Sequence, residues 1–186
     1  MADQPGMSRR SFFKQSSTGI AAAAAFPTII PSRAFGAADR VNIAVIGING
    51  QGGSHINGFP RIPDVHLAAI CDVDQNLFPS RLQGIQERYG YTPRTYTDMR
   101  RLFENPDIDG VTFAVPNRWH ALAAIWAAQA GKHVYVEKPA SHSVWEGRQM
   151  VNAARATNGI MQVGFQNRSR PNVRAALKFI NDGGIG

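Results

Sequence analysis

The feature that most constrains this chain is a glycine-rich turn placed directly after an unbroken apolar run. Val41–Ile46 reads VNIAVI, and Gly47-Ile48-Asn49-Gly50-Gln51-Gly52-Gly53 follows at once. A strand buried on both faces has such a composition, and a glycine turn that opens a helix after it is the setting of a dinucleotide fingerprint. Glycine lets the chain turn tightly and lets backbone N–H groups approach a pyrophosphate. The helix N-terminus then presents unpaired donors and its positive dipole end to that anion. The spacing G-x-G-x-x-G would place glycines at 47, 49 and 52. Asn49 fills the middle place, with Gly50 beside it to keep the backbone accessible. Alone, the loop is equally consistent with a bare turn.

Further apolar runs repeat the pattern. Val65–Cys71, Val111–Val115, His133–Val136 and Met161–Phe165 are expected strands, with a short extended piece at Arg94–Tyr96. Between them, Asn76–Tyr89, Arg118–Ala130 and Val144–Thr157 have helical periodicity, and Gly131 suits the position after a helix end. Asn172–Asn181 reads as one more helix. Strands alternating with helices of this length predict an α/β fold with a doubly wound parallel sheet, a Rossmann domain.

The first 36 residues read as an address rather than as fold. Ser8-Arg9-Arg10-Ser11-Phe12-Phe13-Lys14 is a charged start, and a weakly apolar, alanine-rich run covers Gly19 to Ile30. Small residues at Ala34 and Gly36 suit a cleavage site. The run is too short to span a bilayer, which needs about 20 apolar residues. The paired arginines resemble a twin-arginine export signal, the alternative being an ordinary secretory leader. Twin-arginine export carries folded proteins to the periplasm, which suits a chain that loads a cofactor first. Residues 1–36 hold four basic residues against Asp3, so of the chain's formal +7, +4 stays with the rest. Those charges are scattered, with no basic stripe and interleaved aromatics, so nucleic acid is not expected as a partner. The single cysteine, Cys71, lies in an apolar run and reads as a buried small hydrophobe rather than a nucleophile.

Three constellations add chemistry to the loop. Asp72 stands at the end of the second expected strand, 25 residues after Gly47. A carboxylate about 20 residues on accepts hydrogen bonds from ribose hydroxyls and repels a 2′-phosphate, which favours NAD over NADP. Asp74 suits a helix cap. Pro116-Asn117-Arg118-Trp119-His120 lies at another strand's carboxyl end, where ligands bind in open α/β sheets; a plain N-cap with a surface histidine is the alternative. Glu137-Lys138-Pro139 leaves the next strand. An ammonium group there can hydrogen-bond a substrate hydroxyl and help move its proton; the alternative is a solvent-exposed ion pair. No metal site is expected.

These four features, in this order, resemble the glucose–fructose oxidoreductase, inositol dehydrogenase and rhizopine catabolism family, Gfo/Idh/MocA. The E-K-P tripeptide after an apolar strand is the most specific mark and P-N-x-x-H at Pro116–His120 the next. Val163-Gly164-Phe165-Gln166-Asn167-Arg168 is similar to the segment that leaves the nucleotide domain. The resemblance covers residues 40–186. It implies a pyrophosphate held by Gly47, Asn49, Gly50, Gln51, Gly52 and Gly53, and an adenosine ribose held by Asp72. It places Pro116, Asn117, His120 and Glu137 along the nicotinamide half, and makes Lys138 both a cofactor contact and the catalytic lysine. Family members move a hydride to or from sugars, inositols and related polyols, and some exported relatives use the cofactor transiently to cleave glycosides. They carry a second α/β domain that forms the substrate wall and the oligomer interface. The expected organisation is therefore a leader over 1–36, a nucleotide-binding domain over 37–168, and the start of a truncated second domain over 169–186. A cofactor-binding module without activity is the third functional expectation, together with an exposed apolar patch where the second domain packs.

Overall fold

The computed structural model describes residues 40–157 and 159–185. The expected leader lies outside the described residues. Six strands form one sheet: β1 (Val41–Ile46), β2 (Val65–Cys71), β3 (Arg94–Tyr96), β4 (Gly110–Phe113), β5 (His133–Val136) and β6 (Met161–Val163). Every pair is parallel and the spatial order is β3-β2-β1-β4-β5-β6. The strand order reverses between β1 and β4, the switch point at which open α/β sheets bind their ligands.

Helices cover both faces. On one side, Val45, Ile48, Leu67 and Ile70 pack with Ile56 of α1 (Gly50–Gly58) and Ile85 of α2 (Phe78–Tyr89). On the other, Ala44, Ile46, Ala69, Cys71, Val111 and Phe113 pack with α3 (Met99–Phe103), α4 (His120–Gln129) and Met150 of α5 (Val144–Thr157). The pairing of β1 with β2 skips Ala68, since Ile43 faces Leu67 and Ala44 faces Ala69. That extra residue flips the side-chain parity of β2 and lets Leu67 and Ile70 share one face. In α4, Ala121, Ala123, Ala124, Ala127 and Ala128 are buried, and their small side chains let the helix lie close to the sheet.

The expected elements are present with altered ends. β4 stops at Phe113, not Val115, and β6 at Val163, not Phe165. The helix expected from Asn76 begins as a 3₁₀ turn at Gln75–Leu77, with the Asp74 carboxylate accepting from the Asn76 N–H as a cap should. The helix expected from Arg118 likewise opens with a 3₁₀ turn, Asn117–Trp119. Gly131 follows α4 with φ 76°, as a residue past a helix end does. α3 was not anticipated; it is five residues long and starts where Asp98 caps the Arg100 N–H. The last helix, α6 (Pro171–Asn181), buries none of its residues and leaves Leu177, Phe179 and Ile180 exposed. Among the described residues no helix is long and apolar enough to cross a membrane.

Register explains how the site is assembled. Tyr96, Cys71, Ile46, Phe113, Val136 and Val163 lie on one rung across the carboxyl edge. On five of the six strands the residues immediately past that rung are Asp72, Gly47, Ala114, Glu137 and Gly164. Each donates its N–H to the last carbonyl of a neighbouring strand: Gly47 to Cys71 at 2.9 Å, Asp72 to Tyr96 at 3.1 Å, Ala114 to Ile46 at 2.9 Å, Glu137 to Phe113 at 3.0 Å and Gly164 to Val136 at 2.8 Å. Residues far apart in sequence therefore stand in one row above the sheet.

Candidate functional site

The glycine loop occupies the middle of that row. Gly47 has φ +80°, and a Cβ there would lie 2.6 Å from the Ala114 carbonyl oxygen, so only glycine fits between β1 and β4. Gly52 is tighter still: its Cβ would lie 1.7 Å from the Gly47 oxygen. Gly50, at φ +34°, has nothing within 4 Å and faces open space. Asn49 caps α1, its Oδ1 accepting from the Gly50 N–H at 2.9 Å, and its carbonyl accepts from the Gly53 N–H at 3.3 Å. The amides of Gln51 and Gly52 meet no acceptor among the described residues, which is the donor arrangement an anion at a helix start requires. Gly53 is placed differently from its neighbours. It sits against Arg81 of α2, with the guanidinium 3.1 Å from where its Cβ would be.

A cleft of about 960 Å³ runs from the loop toward β2 and β3. Asp72 lines it, anchored rather than loose: Oδ2 accepts from the Ile48 N–H at 2.9 Å and Oδ1 from the Asp74 N–H at 3.0 Å. A carboxylate oxygen has room for a second donor, so both remain available to ribose hydroxyls. Beyond it, Arg100 grips the Asp98 carboxylate at 2.7–3.1 Å and holds it down to about 2. Cys71 also lines the cleft, but burial, with Asp72 and Asp98 nearby, pushes its thiol up to about 12, so it is inert, as its apolar surroundings suggest. Pro116, Arg118 and Trp119 close the near side.

On the other side of the switch point a second hollow of about 230 Å³ is bounded by Asn117, His120, Glu137, Lys138 and Gln166. Gln51, Ala114 and Val115 line both spaces. Lys138 is exposed at its edge, and the Lys138–Pro139 peptide is cis. Glu137 is 5% exposed and does not pair with Lys138, so the solvent-exposed ion pair weighed from the sequence does not form. Its Oε1 instead accepts from His55 Nε2 at 2.9 Å, Gln166 Nε2 at 2.9 Å and Gln51 Nε2 at 3.2 Å. Burial pushes the Glu137 carboxyl up, but the bonds from His55 and Gln166 outweigh it and hold the group below the usual carboxylate range.

The Pro116–His120 turn is not the plain N-cap with a surface histidine, since His120 is buried and Asn117 caps no helix. Asn117 does not cap α4; its Nδ2 lies 3.4 Å from His142 Nδ1, while its Oδ1 is buried with no partner. His120 lines the hollow, yet its polar atoms are committed to backbone. Nδ1 is 2.6 Å from the Pro139 oxygen and Nε2 is 2.9 Å from the Val115 oxygen, so the ring ties the two exit loops together.

The donors, the acceptors and the absence of side chains fit a dinucleotide. The Gln51 and Gly52 amides suit a pyrophosphate, Asp72 a ribose diol, and the orphaned Asn117 oxygen a planar amide donor. Sequence reasoning missed His55, Thr112 and the role of Gln166. His55 had a signal: it follows Gln51 by one helical turn, which puts both on one face of α1.

Comparison with known proteins agrees. The oxidoreductase family with an NAD-binding Rossmann fold, GFO_IDH_MocA, matches residues 41–165. A levoglucosan dehydrogenase of Pseudarthrobacter phenanthrenivorans is 33% identical over 150 residues, covering 78% of this chain and 38% of that protein. The glycosyl hydrolase family 109 protein 1 of Shewanella sp. is 35% identical over 121 residues, covering 63% of this chain and 26% of its own length. Among solved structures, the scyllo-inositol dehydrogenase of Lactobacillus casei, with bound NAD(H) and scyllo-inositol, superposes with a TM-score of 0.67 at 25% identity, over 79% of this chain and 42% of its own. The chain thus spans about two fifths or less of these proteins. On its residues, its topology and these matches, the chain belongs to the Gfo/Idh/MocA oxidoreductase family and is built on that family's NAD-binding Rossmann fold.

Proposed function

We propose that this chain is the nucleotide-holding part of an oxidoreductase that acts on a sugar, an inositol or a related polyol. The observation that carries the reading is the row of residues past one sheet rung. It brings the Gly47 turn, Asp72 and the Glu137-Lys138 pair to one edge. Bound NAD supplies the hydride acceptor, and its reduced form the donor. The chain's own residues do the rest. The α1 amides and Asp72 hold the two ends of the adenosine diphosphate, and the Asn117 oxygen meets an amide N–H in the hollow. Lys138 Nζ, exposed at the edge of the hollow, hydrogen-bonds a substrate hydroxyl, takes its proton as the free amine when the carbon is oxidised, and returns it as the ammonium in the reverse direction. Of the two nicotinamide cofactors, Asp72 supports NAD over NADP here.

Calorimetry tests the binding half: NADH is expected to bind, and no binding of NADH or NADPH at millimolar cofactor would refute the proposal. For the chemical half, Lys138→Ala should lower polyol dehydrogenation at least about 100-fold and leave NADH affinity nearly unchanged. An unchanged rate would remove Lys138 from the reaction. A second reading, glycoside cleavage through transient oxidation, is favoured by the 35% identity to the Shewanella glycosyl hydrolase. Release of a free aglycone with no net change in NADH would select it. A folded chain that binds cofactor and turns over no sugar would select the inactive module. Within the same proposal, Arg9 and Arg10 direct twin-arginine export, and Arg9→Lys with Arg10→Lys should retain the protein in the cytoplasm. A form that carries the family's second domain is proposed to form homo-oligomers through it.

A further inference from the structure

The Glu137 carboxylate is supported by more than its place in the hollow requires. Thr112 Oγ1 lies 2.7 Å from His55 Nδ1, and His55 Nε2 lies 2.9 Å from Glu137 Oε1. Thr112 is on β4, His55 on α1 and Glu137 past β5, so three elements meet at one buried chain of hydrogen bonds. An ionised carboxylate only accepts, so His55 Nε2 carries a proton; in the neutral ring Nδ1 accepts, and the Thr112 hydroxyl donates to it. Tyr135 and Phe59 stand edge-on to the imidazole at ring centroid distances of 5.7 and 5.6 Å and fix its plane. Gln51 and Gln166 add two more donors to the carboxylate.

The distribution of these bonds is uneven. His55, Gln51 and Gln166 all meet Oε1, and among the described residues no side chain meets Oε2. A carboxylate pinned by one oxygen has its other oxygen set in a fixed direction, and Glu137 lines the hollow beside Lys138. We infer that His55 is a positioning residue of the cofactor site: with Thr112 it fixes Glu137 so that Oε2 is offered to a donor of the ligand bound in the hollow. The inference rests on the proposed function, in which that ligand is NAD(H). His55 acts through Glu137 and touches no reacting atom, as outer partners of metal and catalytic ligands do.

The experiment uses the whole chain and NADH as the probe, read by fluorescence titration, with thermal melting as the check on folding. His55→Phe keeps the aromatic packing and removes both hydrogen bonds; its Kd for NADH should rise about tenfold, the scale of one charge-assisted bond. His55→Gln keeps a side-chain N–H toward Glu137 and should restore affinity to within about threefold. ¹⁵N-histidine NMR of the unliganded protein should show His55 protonated at Nε2, and Thr112→Val, equal in size, should disturb that signal and weaken NADH binding in the same direction. A purely structural role would lower melting temperatures alone. Folded His55→Phe with wild-type affinity overturns the inference while the cofactor reading stands. If His55→Phe does not fold, Thr112→Val decides: an unchanged tautomer and unchanged affinity overturn the inference. Failure of the wild-type chain to bind NADH overturns the reading beneath it.

Discussion

Two glycine-to-alanine substitutions, both inside helices, are expected to act in opposite directions. At Gly52 of α1 the new Cβ would lie 1.7 Å from the Gly47 oxygen and 2.7 Å from its carbonyl carbon. Real Cβ contacts essentially never fall below 3.0 Å, so the backbone must part by at least 1.3 Å. Gly47 has nowhere to go. Its N–H is bonded to Cys71 at 2.9 Å, and it already abuts the Ala114 carbonyl. Overpacking of this kind costs about 1–3 kcal/mol or more, against about 1 kcal/mol gained by replacing a helical glycine. Taking the upper end of that cost for a clash of this depth, the net loss is about 2 kcal/mol and lowers the melting temperature by about 4–8 °C in a domain of this size. The displacement also carries the Gln51 and Gly52 amides away from the anion, so NADH binding should be lost. At Gly84 of α2 nothing lies within 4 Å of the new Cβ. Alanine there restricts only the unfolded chain and should stabilise by about 0.5–1 kcal/mol, raising the melting temperature by about 2 °C with NADH affinity unchanged. Circular dichroism melts and NADH titrations on both variants check this. A Gly52→Ala protein that melts with the wild type and binds NADH equally well would refute the steric reasoning.

Three further outcomes are expected. Asp72 sets the cofactor preference, so wild type should bind NADH about tenfold or more tighter than NADPH, and Asp72→Asn should narrow that ratio. The variant leaves one of two N–H donors unmatched and loses some stability, but a ratio measured on one protein is insensitive to that; an unchanged ratio would clear Asp72 of the role. Cys71, with its thiol at about 12, should react with a disulfide reagent at pH 8 only after unfolding, since on the order of one molecule in ten thousand carries thiolate; fast reaction in native buffer contradicts this. Glu137 is held below its ordinary 4.5. Its folded form binds a proton less readily than its unfolded form, so its contribution to stability is full above that value and falls as pH drops through the folded value. The melting-temperature gap between wild type and Glu137→Gln should therefore shrink from pH 6 toward pH 3, and a constant gap would contradict the ionised assignment.

The sheet was legible because strands buried on both faces must be written in continuous apolar residues, as VNIAVI and VHLAAIC are. Their ends were less so. The apolar run of β4 continues through Val115, yet its ladder stops at Phe113, because Ile46 and Val136 end their own strands on that rung. α3 escaped notice since five residues hold too little periodicity, and only its Asp98 cap announced it. In the site, the single-position chemistry was readable: a glycine with no room for a Cβ, a carboxylate at a strand end, a lysine after an apolar run. What joins positions was not. Glu137 is bonded to Gln51, His55 and Gln166, and His55 to Thr112, residues that meet only once the parallel sheet is folded. His120 shows the same limit from the other side. A histidine in a first turn reads as an available ligand until the fold places two backbone carbonyls against its ring.

One helix ties the two halves of the site together. The first turn of α1 offers the Gln51 and Gly52 amides toward the anion, while the Gln51 and His55 side chains, one turn apart, hold Glu137. Its distance from β1 is set by the Gly47–Gly52 contact, which admits no side chain. The loop glycines thus fix more than a phosphate cradle. A helix that moved outward to accept a Cβ at 52 would carry both amides and both Glu137 donors with it. The pyrophosphate end and the Glu137-Lys138 end are therefore one rigid unit built on a single close contact. This is why a substitution that never meets the second hollow is expected to reach it.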